Sequence, residues 1–114
     1  MRVEEVYRPE ALTCEADDPL RQVARMMASA HVGALAVLDG NMVVGVLSER
    51  DVVRGVAEGV DPDEARATTF AARQVQTAAL AEDTSAVARR MLDAGVRHLP
   101  VVQNHSLLWH RYSL

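Results

Sequence analysis

Apolar residues recur at helical spacing in Leu20, Val23, Ala24, Met27 and Ala30. Asp18 precedes them as a candidate N-cap and Pro19 suits the first helical position, so residues 19–30 are predicted as an amphipathic helix. The period then changes. Residues 34–38 and 42–48 are short apolar runs around Asp39-Gly40-Asn41, whose Gly and Asn tolerate positive φ, which predicts an antiparallel hairpin. A second helix is expected from near Glu49, with Val52, Val53 and Val56 apolar, stopping near Gly59. Asp61-Pro62-Asp63-Glu64 then reads as a further helix start with an acidic first turn. It opens a connector to about Arg73 that is neither Ser- nor Gly-rich and is therefore expected to be ordered.

The pattern repeats. Shifting the sequence by 64 places sets residues 13–38 beside 77–102 and matches Thr13/Thr77, Val23/Val87, Ala24/Ala88, Arg25/Arg89, Met27/Met91, Ala30/Ala94, Val32/Val96, Leu35/Leu99 and Val37/Val101. The second copy should begin with a strand near Val75, and Asp83 or Thr84 should cap a helix whose inner face is Val87, Ala88, Met91 and Ala94. A strand over 98–102 follows, after which the match fails. The fold class implied is α+β, a tandem of strand-helix-strand-strand-helix units with the last helix missing.

Composition narrows the function. The chain has 114 residues, 49% hydrophobic and 25% charged, with a formal net charge of −4, which suits a single globular module without a broad basic surface. Nucleic acid is not an expected partner. All 12 basic residues are Arg, which fits a high-GC bacterial genome and carries no chemistry. The N-terminus lacks an apolar leader and no apolar run approaches the roughly 18–20 residues that span a bilayer, so no membrane association and a cytoplasmic location are expected. The single cysteine, Cys14, suits a reducing compartment and reads as a small strand residue. His98, His105 and His110 lack the spacing of a recognised zinc motif, and neither a nucleophile elbow nor a Walker loop is present. No metal, catalytic cofactor or enzymatic activity is expected.

The segment that carries chemistry is Gly45-Val46-Leu47-Ser48-Glu49-Arg50-Asp51, at the junction of the second hairpin strand and the following helix. Glycine in a strand lets another group come close, and a hydroxyl and a carboxylate in a first helical turn lie beside backbone N–H groups that attract phosphate. Ser48 can then hydrogen-bond a phosphate and Asp51 can accept from a ribose diol. The same residues are equally an ordinary N-cap and a first-turn carboxylate favoured by the helix dipole.

Joined to the repeat, three segments make the chain resemble the cystathionine beta-synthase (CBS) domain pair, or Bateman module. They are His31-Val32-Gly33-Ala34-Leu35-Ala36-Val37, Gly45 through Val53, and Gly95-Val96-Arg97-His98-Leu99-Pro100-Val101. The resemblance covers roughly residues 7–102 and looks close to small stand-alone members of the family. It implies a single module over 1–114, with a first repeat at 7–60, a connector at 61–74 and a second repeat at 75–114 that is truncated or divergent after 102. It also implies pseudo-twofold packing and clefts that draw residues from both repeats.

Such modules take adenosine-containing ligands: AMP, ADP, ATP or S-adenosylmethionine. By resemblance Asp51 would hold the ribose and Ser48 a phosphate, while Val75, Gln76, Val96 and Pro100 would surround the adenine with Val46 beneath it. Arg97 would point at phosphates, where its forked guanidinium suits the task, and His31 and Arg50 are further phosphate candidates. The resemblance further implies a homodimer through helices and a protein target regulated in trans.

In the second copy, simple offset puts Trp109 at the place of Gly45 and Tyr112 at that of Ser48, and no Asp follows. The second cleft is then expected to be blind, the last strand is doubtful, and Leu107, Leu108, Trp109 and Tyr112 lack their expected helix cover. The leading reading is a non-catalytic sensor that binds an adenosine-containing ligand in one cleft. The alternative is a ligand-free dimerisation or stress-associated scaffold with a vestigial cleft.

Overall fold

The computed structural model describes residues 1–6, 8–9, 12–72, 77–96, 98–103 and 106–113, with 6, 8–9, 98, 103 and 106–113 described through their backbone alone. In chain order the elements are α1 (Val3–Val6), β1 (Arg8–Pro9), β2 (Thr13–Glu15), α2 (Leu20–Ala30), β3 (Ala34–Asp39), β4 (Met42–Ser48), α3 (Glu49–Ala57), α4 (Ala67–Phe70), α5 (Thr84–Ala94), β5 (His98–Gln103) and β6 (Ser106–Ser113). They form two compact units, Leu12–Gln74, and Met1–Ala11 together with Val75–Leu114.

In the first unit α2 carries the chain across from β2 to the parallel strand β3, with Cys14 opposite Val37, and β3 pairs antiparallel with β4. The expected hairpin forms, with Gly40 at φ 62° in its turn. Because β3 lies between two strands, Ala34 through Leu38 are all buried, so a continuous apolar run marks a central strand. Leu20, Val23 and Met27 of α2 pack with Cys14, Leu35, Val37, Leu47 and Ala67 into one core. Of the other predicted inner-face positions, Ala24 is half-buried and Ala30 is exposed.

Two sequence expectations shift. Pro19 itself is the N-cap of α2, and Asp18 instead accepts from the Glu15 N–H at 2.9 Å, closing the preceding turn. Asp61-Pro62-Asp63-Glu64 makes a single turn, Ala65 N–H to Asp61 carbonyl at 2.8 Å, and then stops. Its carbonyls are needed elsewhere. Leu20 N–H donates to Ala65 and Arg21 N–H to Pro62, so the connector satisfies the first donors of α2 that no side chain caps. Arg21 and Asp63 add a surface ion pair at 2.6 Å, and the connector's helix forms later, as α4.

The second unit packs Val87 and Met91 of α5 with Leu99 and Val101 of β5, Ala78 and Val3. Ala88 is half-buried and Ala94 exposed. Asp83 caps α5, accepting from the Ser85 N–H. Val3 enters from the extreme N-terminus, held there because its N–H donates to the Glu82 carbonyl and the Met1 carbonyl accepts from Thr84. Arg90 ties the loop before α5 together, donating to the Thr77 carbonyl and to Glu82, whose carboxylate also accepts from the Ala79 N–H.

The doubtful final strand is formed: β6 pairs antiparallel with β5 and with β1. Its register departs from simple offset. In the first unit Val37 faces Gly45 and Leu38 faces Val43, so Val44 alone bulges. In the second, Val101 faces His110 and Val102 faces Leu107, so Leu108 and Trp109 both bulge. One extra bulged residue moves every later position by one. His110, not Trp109, stands where Gly45 does, and Ser113, not Tyr112, takes the place of Ser48, since His98 faces Ser113 as Ala34 faces Ser48. Among the described residues no helix follows β6, and none of the helices is long and apolar enough to cross a membrane.

Candidate functional site

The end of β4 and the start of α3 bring Val46, Ser48, Arg50 and Asp51 together in the first unit. Ser48 is extended at φ −107°, ψ 164°, and caps the helix: its Oγ accepts from the Asp51 N–H at 3.3 Å. Asp51 answers through Oδ2, which accepts from the Ser48 N–H and from the Ser48 hydroxyl, each at 2.9 Å. This reciprocal capping box fixes the hydroxyl and the carboxylate side by side at the positive end of α3. The Asp51 side chain is only 14% exposed, and its second oxygen accepts from the Arg54 guanidinium at 2.8 Å.

Glycine at position 45 has a definite cause. A Cβ there would lie 2.9 Å from the Ala71 Cβ and 3.0 Å from the Ala72 carbonyl oxygen. The connector approaches this closely because Val46 and Ala72 exchange backbone hydrogen bonds, 3.2 Å and 2.9 Å, on the side of β4 away from β3. Val46 is half-buried between Ala36 on one side and Ala72 on the other.

Arg50 is exposed in the first turn of α3. His31 ends α2 in the left-handed region, φ 54° and ψ 41°, with its N–H bonded to the Met27 carbonyl, and is also exposed. Gly95 caps α5 in the same conformation, φ 70°, so one backbone requirement is met by glycine in one copy and by histidine in the other. In the second unit Val96 is half-buried against the core, and Pro100 is buried within β5, its carbonyl accepting from Ala78 at 3.0 Å. Val75, Gln76 and Arg97 lie outside the described residues, as does His105.

Sequence reasoning missed Arg54 and Ala72. Arg54 was detectable, because three residues after Asp51 is the spacing that puts opposite charges on one helix face. Ala72 left no signal, since its role rests on backbone groups. Cys14 is a buried residue of β2, and burial, reinforced by Asp18 and Glu15, pushes its thiol pKa up to about 12, so it stays protonated and inert.

The CBS domain family model matches residues 3–58. Hypoxic response protein 1 of Mycobacterium tuberculosis is 31% identical over 104 residues, covering 85% of this chain and 70% of that protein. An uncharacterized protein of Methanopyrus kandleri is 27% identical over 108 residues, 93% of this chain and 55% of its own length. The chain spans 38% to 65% of the lengths of the archaeal relatives it matches. Among solved structures, a CBS domain protein of Pyrobaculum aerophilum complexed with AMP is 27% identical, with a TM-score of 0.87 over 99% of this chain and 87% of that one.

Proposed function

The chain belongs to the CBS domain family, and we propose that it acts there as a non-catalytic regulatory module that binds an adenosine-containing ligand through Ser48 and Asp51. The observation that carries this reading is the half-buried hydroxyl and carboxylate held 2.9 Å apart at the start of α3. The hydroxyl suits a phosphate and the carboxylate a sugar diol, and the helix dipole favours an anion beside them. The relative complexed with AMP supports the ligand class.

Val46, Arg50 and His31 join the proposal from the same unit. Val75, Gln76, Val96, Arg97 and Pro100 are included on the family resemblance alone. Dimerisation through helices, a protein target acted on in trans and a cytoplasmic location belong to the same proposal.

Calorimetry with AMP, ADP, ATP and S-adenosylmethionine tests it. Binding of at least one ligand, lost in Asp51→Ala, is expected; absence of heat with all four overturns the reading.

A second reading, a ligand-free dimerisation or stress-associated scaffold, is favoured by one observation: Ser48 and Asp51 already satisfy each other as a helix cap. A ligand at 100 times its dissociation constant adds about 2.7 kcal/mol, which raises the Tm of a chain this size by roughly 10 °C. An unchanged Tm with every adenosine compound selects the scaffold.

A further inference from the structure

The Asp51 carboxylate is nearly used up within its own helix. Oδ2 accepts from the Ser48 N–H and hydroxyl at 2.9 Å each, and Oδ1 accepts from Arg54 at 2.8 Å. An ionised carboxylate offers about four lone-pair positions, so these three donors leave about one free. A sugar diol brings two hydroxyl donors. A grip on both therefore requires one resident donor to leave. The Ser48 N–H is fixed by the helix start, and the Ser48 hydroxyl oxygen is pinned by the Asp51 N–H, which leaves its proton on Asp51 until a phosphate accepts it. Arg54 is the easiest to release: its side chain is 54% exposed, so water takes over the solvation of its charge as it swings away.

We propose that Arg54 is an internal competitor for Asp51, displaced when a diol-bearing ligand binds, so that the ion pair sets the affinity of the site. This rests on the reading of Asp51 as the diol acceptor. Exposed pairs of this kind hold weakly, so removing the competitor strengthens binding by about 1.5- to 5-fold. The ion pair also makes an uncharged ligand salt-sensitive in an unusual direction. Screening loosens Asp51 from Arg54, and adenosine then binds more tightly as salt rises.

The test is calorimetry with adenosine, which has the diol and no phosphate, on the full chain at about 0.05 M and about 0.5 M salt. Wild type, Arg54→Gln, Asp51→Ala and Asp51→Asn are compared; glutamine keeps the helix propensity of arginine, and asparagine keeps a cap acceptor. Arg54→Gln should bind about 1.5 to 5 times more tightly at low salt with an affinity that salt leaves unchanged. Wild-type affinity should climb toward that of the variant at high salt, and both Asp51 variants should lose binding. If Arg54→Gln binds equally or more weakly, or wild-type affinity does not rise with salt, while Asp51 variants still lose binding, the competitor is overturned and the diol site stands. Adenosine binding that survives Asp51→Ala or Asp51→Asn overturns both, and no adenosine binding by any of the proteins overturns the competitor.

Discussion

Asp51 Oδ2 receives both donors of Ser48, the backbone N–H and the hydroxyl, at 2.9 Å each. One hydroxyl proton thus serves either the Asp51 carboxylate or a phosphate, not both. Ser48→Ala is expected to cost about 1 kcal/mol of stability, read from the denaturant midpoint. It should also weaken AMP while leaving adenosine unchanged or tighter, because Asp51 then regains a lone pair. Equal losses for the two ligands in calorimetry would reduce Ser48 to a cap.

Gly45 is where the connector is pressed against β4. Gly45→Ala must push Ala71 or the Ala72 carbonyl away and should destabilise by about 1–3 kcal/mol. Gly33→Ala is the control, since a Cβ there meets only the Glu49 carboxyl group, at 3.7 Å and beyond, and should be close to neutral. Urea unfolding of the two variants side by side measures the difference.

Val3 belongs to the core that Val87, Met91, Leu99 and Val101 build. Val3→Ala should cost about 1–3 kcal/mol, far more than truncating an exposed residue near a chain terminus. Thermal unfolding against Met42→Ala, an exposed position on β4, supplies the comparison.

Hydrogen bonding from Arg90 holds the Glu82 carboxyl below its ordinary value of 4.5, with the Ala79 N–H adding to the effect. A depressed folded-state pKa contributes stability above the unfolded value and loses it as pH falls through the folded one. Wild type should therefore be more stable than Glu82→Gln at neutral pH, and the gap should close as pH drops from about 4.5 downward. Melting both proteins across pH 3–7 checks this, and a gap that widens toward acid pH refutes it.

Helices α2, α3 and α5 and the first hairpin were legible because their signals are local. Leu20, Val23 and Met27 share a face by spacing alone, and Asp39-Gly40-Asn41 turns by its own chemistry. Ser48 and Asp51 were legible as a pair for the same reason, three residues apart across one helix start. Arg54 obeys that spacing too, three residues beyond Asp51 on the same helix face.

What stayed hidden depends on groups far apart in the chain or on backbone without a side-chain signature. Val3 is one apolar residue between Arg2 and Glu4, with no period to betray that it fills a core built over 70 residues later. The connector's first turn stops because α2 needs its carbonyls, a demand invisible within Asp61-Pro62-Asp63-Glu64. The repeat itself, with its period of 64, was determined by sequence. Which residue of the second copy stands for which in the first was decided by tertiary structure, because strand pairing absorbs Leu108 and Trp109 in one bulge and so sets Ser113, rather than Tyr112, at the place of Ser48.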